Sequence, residues 1–336
     1  MKLFCALLLT SLIMSCQLKT NSNEDSASQS DYELVNGWPE LSKDYTHGQP
    51  TGIGIDRDEH IFVFHRASRK WTTPFPDSVI AQNTVLEIDN ETGKIINSWG
   101  SNYFIMPHGL TVDKQNNIWL TDVGLHQIFK FSHDGKLLMK LGVAKERGND
   151  SLHFNLPTDI AVADDGSFYV SDGYGNSRVV KFSSTGKFIK SWGTYGNKLG
   201  EFIIPHGLAL DNNNIIYVAD RQNNRVQLFD TSGIFLKEIK NDVQVEQLPS
   251  IAIDKAGHLF AIDYDPRKKM DSTVNGSTIF IFDSSQHVKN RFGATGSTDR
   301  TSCWFHDLAI DSKGYIYVGD IAGIKILKFK PTNKFN

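Results

Sequence analysis

Three histidines occupy matched places along this chain. His108 lies in Pro107-His108-Gly109-Leu110, His206 in Pro205-His206-Gly207-Leu208, and His306 in a weaker copy, Phe305-His306-Asp307-Leu308. Three more copies have a hydroxyl residue in the histidine's place: Pro50-Thr51-Gly52-Ile53, Pro157-Thr158-Asp159-Ile160 and Pro249-Ser250-Ile251-Ala252. A single histidine in such a setting is more often structural than ligating. Three at equivalent positions of alternate repeats are better explained as one site. Three imidazoles with an open fourth position match a catalytic Zn2+ centre; Fe2+ and Co2+ also suit three-histidine sites.

The elements that must position these residues follow from the repeat. Six copies at intervals of roughly 44–57 residues point to a solenoid or a propeller. From Tyr32 onward the pattern is all-β. The second repeat predicts strands at Gly109–Asp113, Asn117–Thr121, Gln127–Phe131 and Leu137–Leu141. The third predicts Asp159–Ala163, Ser167–Ser171, Arg178–Phe182 and Phe188–Trp192, with Asp-Gly and Asn-Asn pairs supplying turns. Four-stranded units repeated six times give a six-bladed β-propeller over residues 32–336. The last repeat supplies only Leu308–Asp311, Tyr315–Val318 and Lys325–Phe329. Tyr32–Val35, followed by Gly37-Trp38, resembles the fourth strands that end in Trp99-Gly100 and Trp192-Gly193. This N-terminal strand is therefore expected to complete the last blade and close the ring, removing an exposed edge.

In such a ring the first strand of each blade lines the channel, so His108, His206 and His306 should converge at one level, about 120° apart. The second strands return to the same face and end in Asp122, Asp172, Asp220, Asp263 and Asp320, read here as turn carboxylates that accept backbone N–H groups. The first repeat departs from this rule: Phe64-His65-Arg66 puts Arg66 where the others have Asp. Tyr174 and Arg221 lie just beyond the aspartate in repeats three and four. Two arginines and a tyrosine should thus face the metal. Two insertions, 67–83 and 264–277, connect second to third strands on that face and could be binding loops, with Trp71 and Phe75 contacting substrate.

Composition sets wider limits. The chain has 336 residues, 40% hydrophobic and 22% charged, with formal net charge −3; this excludes the basic footprint of a nucleic-acid binder. Lys2 and the apolar run Leu3–Met14, ending Leu12-Ile13-Met14-Ser15-Cys16, read as a lipoprotein signal over residues 1–16, with Cys16 as the lipidated residue. Residues 17–31 are polar and read as a flexible tether. An exported, monomeric protein held at a bacterial membrane surface only by its lipid is expected. Cys5 falls in the signal. Cys303 has no partner in the body of the chain and reads as a small buried side chain.

The strings Phe64-His65-Arg66, Pro107-His108-Gly109-Leu110, Val170-Ser171-Asp172-Gly173-Tyr174-Gly175-Asn176-Ser177-Arg178 and Val218-Ala219-Asp220-Arg221 together resemble the peptidyl-α-hydroxyglycine α-amidating lyases, NHL-repeat propellers. The resemblance spans roughly residues 35–330 and is to the lyase half of the peptide-amidating machinery. It implies zinc on His108, His206 and His306, a catalytic Tyr174, and active-site arginines at Arg66 and Arg221. It also implies a structural Ca2+ held by the backbone carbonyls of Ile53 and Leu110 and the carboxylate of Asp307, oxygen ligands that suit a hard cation. The chain departs from the animal enzymes at Gly175, where they carry Cys, and at Trp304, where Met is expected.

The reaction implied breaks the N–Cα bond of an N-acyl-α-hydroxyglycine, giving an amide and glyoxylate. Tyr174 as phenolate would take the hydroxyl proton, one arginine would favour that charged form, and the other would hold the glycine carboxylate. Two other classes compete. A non-catalytic NHL propeller that binds a protein or glycan explains the fold but not the alternating histidines or Arg66. A metal-dependent lactonase-type hydrolase would use Glu, Asn and Asp ligands rather than three histidines.

Overall fold

The computed structural model describes residues 31–41, 45, 47–240, 247–264, 277–293 and 303–332. The signal segment, Cys16, nearly all of the tether and most of the second insertion lie outside them. The described residues form six four-stranded antiparallel sheets, each in sequential strand order except the last. The second blade shows the pattern: Pro107–Val112, Ile118–Asp122, Gln127–Phe131 and Leu137–Leu141. Its first strand begins two residues earlier than the alternation alone indicates. The channel-side Pro-His pair is therefore part of the sheet, with Pro107 opposite Asp122 and an irregularity before Leu110.

Alternating apolar residues build the core between blades. The second strands are buried almost throughout (Ile61–His65, Ile118–Asp122, Phe168–Asp172), because each packs on a neighbouring sheet on both faces. Outer strands such as Phe188–Trp192 expose most of their residues. One cluster joins Phe62 and Phe64 of blade one to Phe104, Leu120, Phe129 and Phe131 of blade two, so the core is continuous across a blade boundary.

The ring closes as the repeat count requires. Tyr32–Leu34 pairs antiparallel with Lys325–Pro331, with Tyr32 opposite Pro331, which completes a sheet with Phe305–Ile310 and Ile316–Asp320. The tryptophan after this strand repeats an inter-blade contact. Trp99 lies on Gly135, where a Cβ would come within 2.7 Å of the indole; Trp192 lies on Gly233 in the same way, at 2.6 Å; and Trp38 lies on Gly93, at 2.9 Å. All three glycines have positive φ, so their turns both need glycine for conformation and leave room for an indole. Trp38 thus makes toward blade one the contact that a fourth-strand tryptophan makes toward the next blade.

Candidate active site

The three histidines meet on the axis, with ring centroids 4.7–5.1 Å apart. Each sits at the start of an innermost strand, and each is oriented by the blade that follows. His108 Nδ1 donates to Thr158 O (2.7 Å), His206 Nδ1 to Pro249 O (2.8 Å) and His306 Nδ1 to Thr51 O (2.7 Å). A carbonyl can only accept, so each ring carries its proton on Nδ1 and turns the Nε2 lone pair inward. This accounts for the alternation in sequence: odd blades supply the carbonyls that aim the histidines of even blades. Burial drives all three imidazoles toward the neutral form, His306 down to about 3 and the other two well below the ordinary value, and the nearby histidines and arginines push the same way. Three neutral nitrogens with fixed tautomers, each backed by a carbonyl, form a donor set that could hold a metal ion.

Tyr174 reaches this centre from blade three. Its hydroxyl oxygen lies 3.1 Å from His108 Nε2 and 3.0 Å from His206 Nε2, and Arg221 Nη1 donates to it at 3.3 Å. The residue enters just after Asp172, whose carboxylate accepts the Asn155 N–H and pairs with Arg178, pinning the turn that presents the tyrosine. Asp122 does the same work in blade two, accepting N–H groups of Ile105, Met106 and Leu125. The aspartates at the ends of the second strands are therefore turn carboxylates.

Arg66, at the position that breaks that rule, is buried. Its Nε donates to Pro107 O and its Nη1 to Gln49 Oε1, and burial lowers it to about 10. Arg221 donates through Nε and Nη2 to Gln247 Oε1. Both guanidiniums are thus held by neutral oxygens, leaving them able to take an anion. Gln49 and Gln247 are functional candidates that sequence reasoning missed. Each lies just ahead of a first-strand motif, outside the part of the repeat that recurs.

These groups line a cavity of about 530 Å3 that has Arg66, Trp71, Tyr174, Arg221, Trp304 and His306 in its wall; none of its described lining residues is acidic. Trp71, from the first insertion, packs 5.4 Å from the Tyr174 ring, and the Arg66 guanidinium lies 5.1 Å from its centroid. Phe75 does not line the cavity; it sits edge-on behind Trp71 at 4.9 Å and against the blade-two core. Trp304 stacks on Tyr264 with centroids 3.8 Å apart. Cys303 is free and buried, accepting the Ser277 N–H, and burial pushes its thiol up to about 11.

Beyond the histidines the channel holds two half-buried carboxylates. Asp307 Oδ2 accepts the Ile53 N–H at 2.8 Å and Oδ1 accepts the Ser250 hydroxyl at 2.6 Å, while Asp159 Oδ2 accepts the Leu208 N–H at 2.8 Å. Both line the same stretch of channel as Ile53 and Leu110. Burial raises both carboxyls, Asp307 to about 7, and Asp307 raises Asp159 further. Two carboxylates that resist ionising together fit a hard cation bound between them. Asp159 was missed as a partner. It stands at the Asp307 position of repeat three, and only the ring places the two repeats opposite one another.

A model described as a 6-bladed beta-propeller matches residues 147–274, and one described as NHL repeat matches residues 104–131. The chain is 33% identical to a Caenorhabditis elegans protein named as a probable peptidyl-alpha-hydroxyglycine alpha-amidating lyase, over 84% of this chain and 83% of that one. It is 35% identical to peptidyl-glycine alpha-amidating monooxygenase B of Xenopus laevis, over 85% of this chain but 34% of that protein, so it spans about a third of that relative's length. Among solved structures, a streptogramin B lyase superposes with a TM-score of 0.60 at 14% identity, covering 89% of this chain and 97% of that one, which shows the fold alone.

Proposed function

Since this chain belongs to the peptidyl-α-hydroxyglycine α-amidating lyase family, we propose that it cleaves the N–Cα bond of N-acyl- or peptidyl-α-hydroxyglycines, releasing an amide and glyoxylate. The observation that carries this reading is the Tyr174 oxygen, which touches two inward-facing Nε2 atoms and a guanidinium at the floor of a cavity whose described lining residues include no acid.

His108, His206 and His306 would hold zinc through Nε2. Bound there, the metal supplies Lewis-acid polarisation of the substrate oxygen. Arg221 donates to the Tyr174 oxygen and fixes its position. Arg66, tied to Gln49 and Pro107 and clear of Tyr174 among its hydrogen bonds, takes the glycine carboxylate. Tyr174 accepts the hydroxyl proton of the substrate; the C–O bond becomes a carbonyl as the N–Cα bond breaks; and the proton passes to the departing amide nitrogen. No water is consumed, and atoms balance between substrate and the two products. Trp71 and Trp304 cover the cavity where the acyl group would lie. Asp307 and the Ile53 and Leu110 carbonyls would hold calcium, with Asp159 facing them. The protein is further proposed to be exported and anchored through a lipid on Cys16.

The test is glyoxylate release from N-benzoyl-α-hydroxyglycine by the zinc-loaded protein, beside His206→Ala. Release by the parent and not by the variant is expected. Equal release by both would remove the three histidines from the reaction, and release by neither would overturn the lyase reading.

A further inference from the structure

At the far end of the first strand of blade one, away from the active site, a second cluster departs from the repeat. The first hairpin turns in several blades are held by an aspartate. Asp56 Oδ1 accepts the N–H groups of Asp58 and His60, as Asp113 Oδ1 accepts those of Gln115 and Asn117. In two blades the other oxygen is satisfied by an aromatic donor: Trp119 Nε1 on Asp113 Oδ2, and the Tyr317 hydroxyl on Asp311 Oδ2. In blade one the corresponding residue is Phe62, which has no donor.

The next strand departs too. The residue opposite the aromatic is a lysine in three blades, Lys130 opposite Trp119, Lys181 opposite Tyr169 and Lys328 opposite Tyr317. Each ammonium lies over its aromatic ring, at 4.8, 5.5 and 5.4 Å. Lys181 and Lys328 also donate to a turn carbonyl of the following blade, Thr231 O and Asn90 O. Blade one reverses the charge: Glu87 is opposite Phe62, and the turn of the following blade presents His133.

The result is two imidazoles and two carboxylates at one point. His133 Nε2 lies 2.8 Å from Asp56 Oδ2 and 3.8 Å from Glu87 Oε1; His60 Nδ1 lies 3.0 Å from Glu87 Oε1 and 3.5 Å from Asp56 Oδ2. All four donor atoms fall within 4.8 Å of one another. Ligands bound tetrahedrally at ~2.0–2.1 Å from zinc stand ~3.3 Å apart, and the observed distances straddle that value. The carboxylate side chains are 0% and 5% exposed, whereas the imidazoles are 27% and 37% exposed, which leaves an entry path. Among the described residues both carboxylates have only these imidazoles as ion-pair partners. Two nitrogens and two carboxylate oxygens select a zinc-like divalent ion over calcium.

We propose that Asp56, His60, Glu87 and His133 bind a second divalent transition-metal ion of the zinc class, which clamps blade one to blade two. The site does not depend on the lyase reading. The untagged full chain is stripped with chelator, equilibrated with Zn2+ in calcium-containing buffer and dialysed, and its zinc is counted by plasma emission. The parent retains two zinc ions, His206→Ala one, His133→Ala one, and the double variant none. In His206→Ala, Zn2+ raises the unfolding temperature by roughly 5 °C at a hundredfold excess over Kd. Turnover of zinc-loaded His133→Ala matches the parent. Glu87→Gln, which keeps the side-chain volume, provides the same comparison if His133→Ala folds poorly. Equal zinc content in His206→Ala and in His206→Ala carrying either second substitution overturns the proposal.

Discussion

At the residue scale the account rests on Tyr174 and the two guanidiniums around it. Tyr174→Phe keeps the ring packed against Trp71 but removes the oxygen that meets His108, His206 and Arg221. Turnover should fall on the order of 10²–10⁴-fold, the usual contribution of a positioned acid–base group, while the histidine-bound zinc remains. Steady-state kinetics with metal analysis checks this; near-parent turnover removes Tyr174 from the reaction. Arg66→Lys keeps the charge but loses the planar fork, so kcat/KM should drop roughly a hundredfold, about 2.7 kcal/mol, for substrates bearing the glycine carboxylate. An unchanged kcat/KM would show that the carboxylate binds elsewhere. The shared placement of Tyr174, Arg66 and Arg221 on one cavity was legible in the sequence because the repeat supplies a reference: each occupies or follows a position where other copies hold an aspartate. Gln49, Gln247 and the facing of Asp159 toward Asp307 were not, because they arise from contacts between blades and not from the pattern within one.

At the element scale, the six blades and the closing strand were legible because apolar alternation and turn residues recur at a steady interval. Strand starts were less so. The Pro-His pairs at 107–108 and 205–206 look like loop in an alternation count, yet hydrogen bonding across the first hairpin brings Pro107 opposite Asp122 and Pro205 opposite Asp220. Proline is tolerated there because it opens the strand. Phe75 was expected at the substrate and instead buttresses Trp71, a choice made by the apolar cluster beneath the loop. The closing strand gives a direct test. Tyr32 is 4% exposed and stacks on Phe292 at 4.7 Å. Tyr32→Ala should destabilise the protein by about 3–5 kcal/mol, seen as a lower midpoint in urea, with the initial lyase rate at low temperature little changed. A midpoint equal to that of the parent would mean that the strand does not contribute to holding the ring.

At the scale of the whole molecule, the channel carboxylates should couple ring stability to pH and, through the proposed calcium site, to cations. Asp159 and Asp307 have raised folded-state pKa values, Asp307 reaching about 7. For a raised carboxyl the folded state binds the proton more tightly than the unfolded chain. That contribution to stability is fully present below about pH 4 and is lost as pH rises through about 7. Stripped of cations, the protein should therefore unfold at a lower temperature at pH 8 than at pH 5.5, and calcium should restore the difference. Asp159→Asn should flatten the profile. Calorimetry across pH, with chelator or with calcium, checks the sign; a stripped protein that gains stability from pH 5.5 to 8, with no response to calcium, contradicts it.

The most direct test of the central claim is the identity of the products. Incubated with N-benzoyl-α-hydroxyglycine, the zinc-loaded protein should yield benzamide and glyoxylate in equal amounts, with no benzoic acid, and Tyr174→Phe should yield little of either. Benzoic acid with free α-hydroxyglycine breakdown products would mean hydrolysis of the acyl bond instead. No turnover at all would leave a propeller that does not perform this cleavage.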